Sequence, residues 1–399
     1  MPLFDPRRPG PLYDLRPDPG LPVPPYWAAH LTADAPHEPV GGGPELRAAA
    51  AGYWERRGLP TDPGQVLAGP GAEPLLVALL AVTGGDAVVT RPAAAWHSSG
   101  ARLLGRRVLT VRTPAEGGGA PDPFALLETV TRAREEGADP RVLVLSAADD
   151  PTGTVTPPEL LHEVCEAAAG AGLLIVSDES YYDTVHDGHH TVLLSPAEML
   201  PDRVVVLTDL AAGLVPSGRP VALARFPGAE LSDLAARTLL ACAELRSVLP
   251  APVAPAVSYA LAEPDDVRDF LAAATRLHAT VTAAAHRIVT TTGALCLPPE
   301  AGFHLYADFG PLHTGRAASA AALERDLTAR LGRPVLGGHR FGDDPAAPRV
   351  RIDTGPLHGV TDGERRAALE SPEPLALPHV AAALADLAAA LTLVPGAPA

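Results

Sequence analysis

Along the chain, apolar residues change their period in a fixed order. After a Pro- and Gly-rich opening through residue 44, PELRAAAAGYWERRG predicts a helix from Pro44 to Gly58. Short β-branched runs then alternate with helical ones: VLAG, a helix from about Ala72, DAVVT, a helix through Ser98 to Leu104, RRVLTV, and a helix from Pro123 to Glu136. RVLVLS, a helix from Pro157 to Ala169, LLIVSDE, VVVL and VALARF follow. Strands separated by helices of about 12 residues predict a mostly parallel sheet covered on both faces, a three-layer α/β/α sandwich. A long helical stretch from Pro264 to Thr290 then leads to GFHLYADFG, a helix from Ala317 to Leu331, RPVLGG, RVRIDTG and a final helix from Pro378 to Leu391, the pattern of a smaller α+β unit. The expected organisation is an arm over 1–44, a large domain over 45–262 and a small domain over 263–399, with VPGAPA as a frayed tail.

Composition narrows the class. Of the 399 residues, 47% are apolar and 20% charged, a globular rather than a disordered balance. No apolar run reaches the roughly 18 residues of a membrane span, and MPLFDPRRPG lacks the apolar centre of a signal peptide, so a cytoplasmic protein is expected. A net charge of −16 repels nucleic acid and anionic membranes. Cys165, Cys242 and Cys296 form no CxxC pair and read as buried fillers. Every one of the 31 basic residues is arginine, so the chain has no lysine. Codon bias in a GC-rich genome thins out surface lysines, but it cannot replace one that forms a covalent bond.

That absence matters because of one run, LSAADDPTGTVTPPELLHEVCEAAAGAGLLIVSDESYYDTVHDG, over 145–188. It resembles the class I and II aminotransferases of pyridoxal-phosphate (PLP) fold type I, which carry an Asn-Pro-Thr-Gly turn, a helix and a strand ending in Asp-Glu-x-Tyr. DLRPDPGLPVPPYW resembles the family's N-terminal arm, GGGPELRAAAAGYWERRG its first helix, VLAGPGAEPLL its phosphate loop and RVRIDTGP its substrate-carboxylate segment. The arm and first helix look closest to the aminotransferase-like halves of certain bacterial regulators. No helix-turn-helix precedes them here, which disfavours a DNA-binding regulator. The resemblance implies the aspartate aminotransferase-like fold and a homodimer.

It also implies roles for particular residues. Asp178 matches the carboxylate that pairs with the cofactor's pyridine nitrogen, and Tyr181 the hydroxyl that bonds its phenolic oxygen. Arg351 matches the arginine that holds a substrate carboxylate, and Arg219 the one that clamps the phosphate. Each has a plainer reading: a turn-capping Asp, a half-buried Tyr, exposed arginines. Other positions depart from the pattern. Asp150 replaces the asparagine before Pro-Thr-Gly and would set a carboxylate against an anionic oxygen. Ala72-Glu73 stands where the phosphate loop has a hydroxyl, and HEPVGGGPELR lacks the tyrosine that a neighbouring subunit usually contributes. Of Ala94 and Trp96, only Trp96 can stack on a ring. The lysine position falls on Ala211 counting back from Arg219, or on Asp209 from the strand end; no histidine lies between His190 and His278 to replace it.

HDGHH, His186 to His190, matches no closed metal site, and His304 reads as a packed residue. P-loop, HExxH and GxSxG signatures are absent. The expectation is therefore a repurposed biosynthetic enzyme working without cofactor or metal. It would perform cyclisation, condensation, elimination or proton transfer on a small carboxylate or amino-acid-derived substrate. Asp178, Tyr181, Asp150, Asp209 and Glu73 are the candidate catalysts, and Arg351, Arg219 and Trp96 the candidate substrate contacts. Ala72, Asp178, Tyr181 and Arg219 would be vestiges of a cofactor site. One alternative is a non-catalytic protein that binds a ligand or a partner subunit. The other is PLP, or pyridoxamine phosphate (PMP), held noncovalently by Asp178, Tyr181, Arg219 and Trp96.

Overall fold

The computed structural model describes residues 15–31, 38–228, 232–312 and 319–392. Seven strands form the large sheet: β1 Val66–Gly69, β2 Asp86–Arg91, β3 Val108–Arg112, β4 Pro140–Ser146, β5 Leu174–Asp178, β6 Val204–Asp209 and β7 Ala222–Arg225. Their order is β1-β7-β6-β5-β4-β2-β3, and only β7 runs against its neighbours. Alternate residues of one strand feed two separate cores. Leu143 and Leu145 pack with the helices Pro44–Arg56, Pro123–Glu135 and Pro158–Gly170, whereas Val142 and Val144 pack with Ala72–Thr83, Ala95–Leu103 and Ser232–Glu244. The expected three layers are present.

Four further strands, β8 Leu295–Cys296, β9 His304–Asp308, β10 Leu336–Gly337 and β11 Arg349–Asp353, make an antiparallel sheet in the order β10-β11-β9-β8. The 27-residue helix Asp265–Thr291 joins the two units. Val267 and Phe270 belong to one large-sheet core, Leu277 to Val289 to the core of the small sheet. No helix among the described residues is long and apolar enough to cross a membrane.

Differences from expectation have local causes. The helices Pro25–His30 and Ala254–Ala262 lie in proline-rich sequence that reads as irregular, yet Pro25 and Pro255 occupy first-turn positions where no N–H is needed. Asp362–Glu370 is too polar to show a periodic apolar face and is started by a capping box between Thr361 and Glu364. The predicted helix at 317–331 begins at Ala320, where the Ser319 hydroxyl accepts from Ala322 N–H. The predicted tail VPGAPA lies outside the described residues.

Beneath the small sheet, His278, on the long helix, and His358 are buried with ring centroids 5.1 Å apart, and His278 also lies 5.0 Å from Phe303. Both ring nitrogens of His278 lack a hydrogen-bond partner. Burial holds His278 well below the usual histidine range and pushes His358 down to about 4. Such groups fold neutral, so their stabilising contribution is complete above the unfolded value near 6.5 and is lost as pH falls toward 4. Replacing His358 by leucine is expected to narrow the stability gap between parent and variant by about 1–2 kcal/mol between pH 7 and pH 5. Urea midpoints at the two pH values measure this, and a pH-independent gap would exclude the burial argument.

Candidate functional site

Parallel strands expose their carboxyl ends on one edge, and the turns leaving β4, β5 and β6 meet there. Asp178 is the last residue of β5. Its Oδ1 accepts from Ser180 N–H at 3.0 Å and Ser180 Oγ–H at 2.6 Å, and its Oδ2 lies 2.9 Å from His97 Nε2. His97 and Asp178 are both buried, and Trp96 stands edge-on to His97 with centroids 4.5 Å apart. Tyr181 is buried on the next turn, edge-on to Phe303 and His304. Its hydroxyl has no hydrogen-bond partner among the described residues. Burial, reinforced by the Asp150 charge, raises its pKa well above the usual tyrosine value.

The substituted Asp150 is paired with an arginine. Arg351, the central residue of β11, donates from Nη1 to Asp150 Oδ1 at 2.7 Å and from Nη2 to the Leu15 carbonyl at 3.0 Å. Arg351 Nε stands 3.0 Å from Asp353 Oδ1, near enough for an ion pair but off line for a hydrogen bond. The guanidinium is 0% exposed and lies over the Phe341 ring at 4.8 Å. Burial alone would lower its pKa, but Asp150 and Asp353 outweigh that and keep it charged.

The second cation comes from the arm. Arg16 donates from Nε to Glu73 Oε1 at 2.9 Å, makes a further contact with Glu73 Oε2, and places Nη1 3.4 Å from Asp209 Oδ2. Glu73 is in the first turn of the helix Ala72–Thr83, whose N-cap Gly71 has φ 142°. A Cβ there would lie 2.9 Å from Arg16 Nη2, the movable end of a long side chain, so it is the backbone that calls for glycine. Asp209 ends β6 and accepts from Ala211 N–H at 3.0 Å. Burial pushes its pKa up to about 6, with Arg16 limiting the rise. Ala211, the other candidate for the lost lysine position, lines the same cavity as Asp209.

These residues enclose about 60 Å³, roofed by Leu15, Arg16 and Pro17. The structure brings together Ala72, Glu73, Trp96, Asp150, Asp178, Tyr181 and Asp209, with Arg351 bonded to Asp150 beside them. It does not bring Arg219, which is exposed and lines a different groove with Phe270 and Arg365. Sequence reasoning missed Arg16, His97 and Ser180. Arg16 sits in the quoted arm run DLRPDP and His97 directly follows Trp96, but neither has a periodicity that would announce a buried partner. The His186–His190 run is split, with His186 Nε2 2.7 Å from the Gly302 carbonyl and His190 Nδ1 2.7 Å from the exposed Asp187. Among the described residues, no three His, Cys, Asp or Glu side chains stand close enough to share a metal ion.

A cofactor ring would find Asp178 held by His97, a Tyr181 hydroxyl without a partner and the Trp96 face. Those residues fit the ring end. The cavity under the arm is smaller than the ~300–1,000 Å³ of ordinary ligand sites, so entry requires Leu15 to Pro17 to lift.

Comparison with known proteins agrees with the geometry. Residues 37–358 match the family model "Aminotransferase class I and II". The chain is 27% identical over 203 residues to the probable aspartate/prephenate aminotransferase of Thermus aquaticus, an alignment that spans about half the length of each (50% of this chain, 51% of the relative). It is 28% identical over 331 residues, 81% of this chain and 78% of the relative, to the arginine–pyruvate transaminase of Pseudomonas aeruginosa. The fold superposes on aspartate aminotransferase from Thermus thermophilus with maleate at a TM-score of 0.75, with 22% identity over 89% of each chain. These findings overturn the expectation of a cofactor-free protein, because the matched family is PLP-dependent. Noncovalent PLP is compatible with them.

Removing Arg351 strips Asp150 and Asp353 of their counter-charge. Arg351→Ala is expected to cost about 3–5 kcal/mol in urea unfolding. Pairing it with Asp150→Asn should recover part of that loss; a double variant no more stable than the single one would contradict the coupling.

Proposed function

The chain belongs to the class I and II aminotransferase family, and on that footing we propose that it holds PLP or PMP noncovalently in the cleft between Asp178, Tyr181 and Trp96. The observation that carries the proposal is the buried His97–Asp178 pair facing a tyrosine hydroxyl without a partner. A bound PLP or PMP supplies an electron sink for proton and amino-group transfer. With no lysine, the protein's grip on it is entirely noncovalent.

The chain's own residues then divide the work. Asp178 Oδ2, oriented by His97, holds a protonated ring nitrogen, and the Tyr181 hydroxyl donates to a neighbouring oxygen. The N-terminus of Ala72–Thr83 attracts an anionic group, and Arg16 offsets the charge of Glu73 there. Arg351 is the receiver for the carboxylate of a small amino-acid-like substrate, which must displace Asp150. Asp209 Oδ2, whose carboxyl titrates at about 6, is the group able to take and return a proton beside Ala211. The assembly we infer is a homodimer, with the large and small domains divided at 262/263.

PMP mixed with the purified chain and then desalted should leave its near-ultraviolet absorbance with the protein, and PLP should behave alike. Borohydride should fix neither to the site. Asp178→Asn is expected to weaken retention by about tenfold or more. Complete loss of both chromophores from the parent protein on desalting would reject the proposal.

A further inference from the structure

The largest cavity described, about 560 Å³, lies on the other side of the turn Asp149–Thr154 from the cleft above, between the ends of β2 and β3 and the small sheet. Two arginines mark its large-domain wall. Arg91 and Arg112 are register partners on the parallel strands β2 and β3, so their side chains leave the same face from adjacent strands. Neither guanidinium forms an ion pair or hydrogen bond with any described residue, and Arg91 Nε is buried without a partner. Two like charges side by side, one partly desolvated, are costly unless an anion sits between them.

Among the described residues no acid pairs with either guanidinium. On the opposite wall, Asp308 and Asp343 are committed to Arg349 at 2.8 and 2.9 Å, and Asp343 also accepts from the Tyr306 hydroxyl at 2.9 Å. Asp149 turns its Oδ2 to Thr152, whose hydroxyl donates at 2.6 Å; its Oδ1 is buried without a hydrogen-bond partner, and burial pushes the carboxyl up to about 7. The floor is bare backbone. A Cβ on Gly119, at φ 102°, would lie 2.6 Å from the Asp149 Cβ, and one on Gly118 would collide with the Val155 carbonyl. The rim is apolar: Leu295 and Leu297, on and just after β8, are 63% and 38% exposed and face the cavity with Pro92 and Pro114.

We propose that this cavity is a second ligand site, which takes a small cyclic or aromatic anion with its carboxylate or phosphate between Arg91 and Arg112 and its apolar body against Leu295 and Leu297. Arginine pairs suit both head groups because the guanidinium fork donates two parallel hydrogen bonds to either. The volume lies within the ordinary range for small-molecule sites.

The test uses the full chain with benzoate, phenyl phosphate and the neutral benzyl alcohol, followed by calorimetry and saturation-transfer NMR. Either anion is expected to bind, benzyl alcohol far more weakly, and the stronger of the two anions identifies the preferred head group. Arg91→Ala and Arg112→Ala should each weaken anion binding by about tenfold, whereas Asp178→Asn, across the turn in the other cleft, should leave it unchanged. Arg112 is exposed, so its variant carries the test should Arg91→Ala fold poorly. Binding that survives Arg112→Ala, binding lost with Asp178→Asn, or no binding of either anion at millimolar concentration would overturn the assignment.

Discussion

Carboxylates gathered at one edge of a parallel sheet need counter-charge, and the rest of the site is arranged around where that charge comes from. Asp150, Asp178 and Asp209 end or follow β4, β5 and β6, and Glu73 and Asp353 approach from either side. Buried together without partners they would repel one another and bind protons, which is the direction in which Asp209 and Asp353 are displaced. Two arginines answer, Arg351 from the small sheet for Asp150 and Asp353 and Arg16 from the arm for Glu73 and Asp209, while the His97 ring, from the helix after β2, hydrogen-bonds Asp178.

The arrangement ties the cleft to the arm through shared contacts. Arg351 binds both Asp150 and the Leu15 carbonyl, and Arg16 lies directly after Leu15, so the strand that neutralises one side fixes the segment that neutralises the other. Further along, the arm is anchored by Tyr26, whose hydroxyl donates to the Leu214 carbonyl at 2.9 Å and whose ring packs in the large core. Displacing residues 15–17 would take the Arg16 guanidinium from Glu73 and Asp209, while Arg351 keeps Asp150 and Asp353.

Much of the fold was legible because the signals were local. The β-branched strands and the Pro-Thr-Gly and Asp-Glu-x-Tyr runs identify a doubly covered sheet and the ends of β4 and β5 from the sequence alone. Asp178 and Tyr181 were found that way. What the sequence hid were the partners. Asp150 and Arg351 are 201 residues apart, Arg16 and Glu73 are 57 apart, and His97 and Asp178 are 81 apart. Arg219 shows the opposite case, since its run PSGRP fitted a motif while its side chain is exposed and lines another groove. Prolines hid the helices Pro25–His30 and Ala254–Ala262, because a residue that breaks a helix interior is neutral in its first turn.

A chain whose cations are all arginines has a restricted proton chemistry. Arginine stays protonated throughout the accessible pH range, so it can bind and neutralise but cannot serve as an amine nucleophile or pass a proton. Two carboxylates here are raised toward neutrality, both chiefly by burial: Asp209 to about 6, and Asp149 to about 7 on the far side of the same turn. The Tyr181 hydroxyl stays protonated and keeps its proton to donate. Losing lysine thus removes more than a covalent tether. No amine side chain is left to handle protons, whereas burial makes a carboxylate such as Asp209, at the end of β6 beside Ala211, more basic.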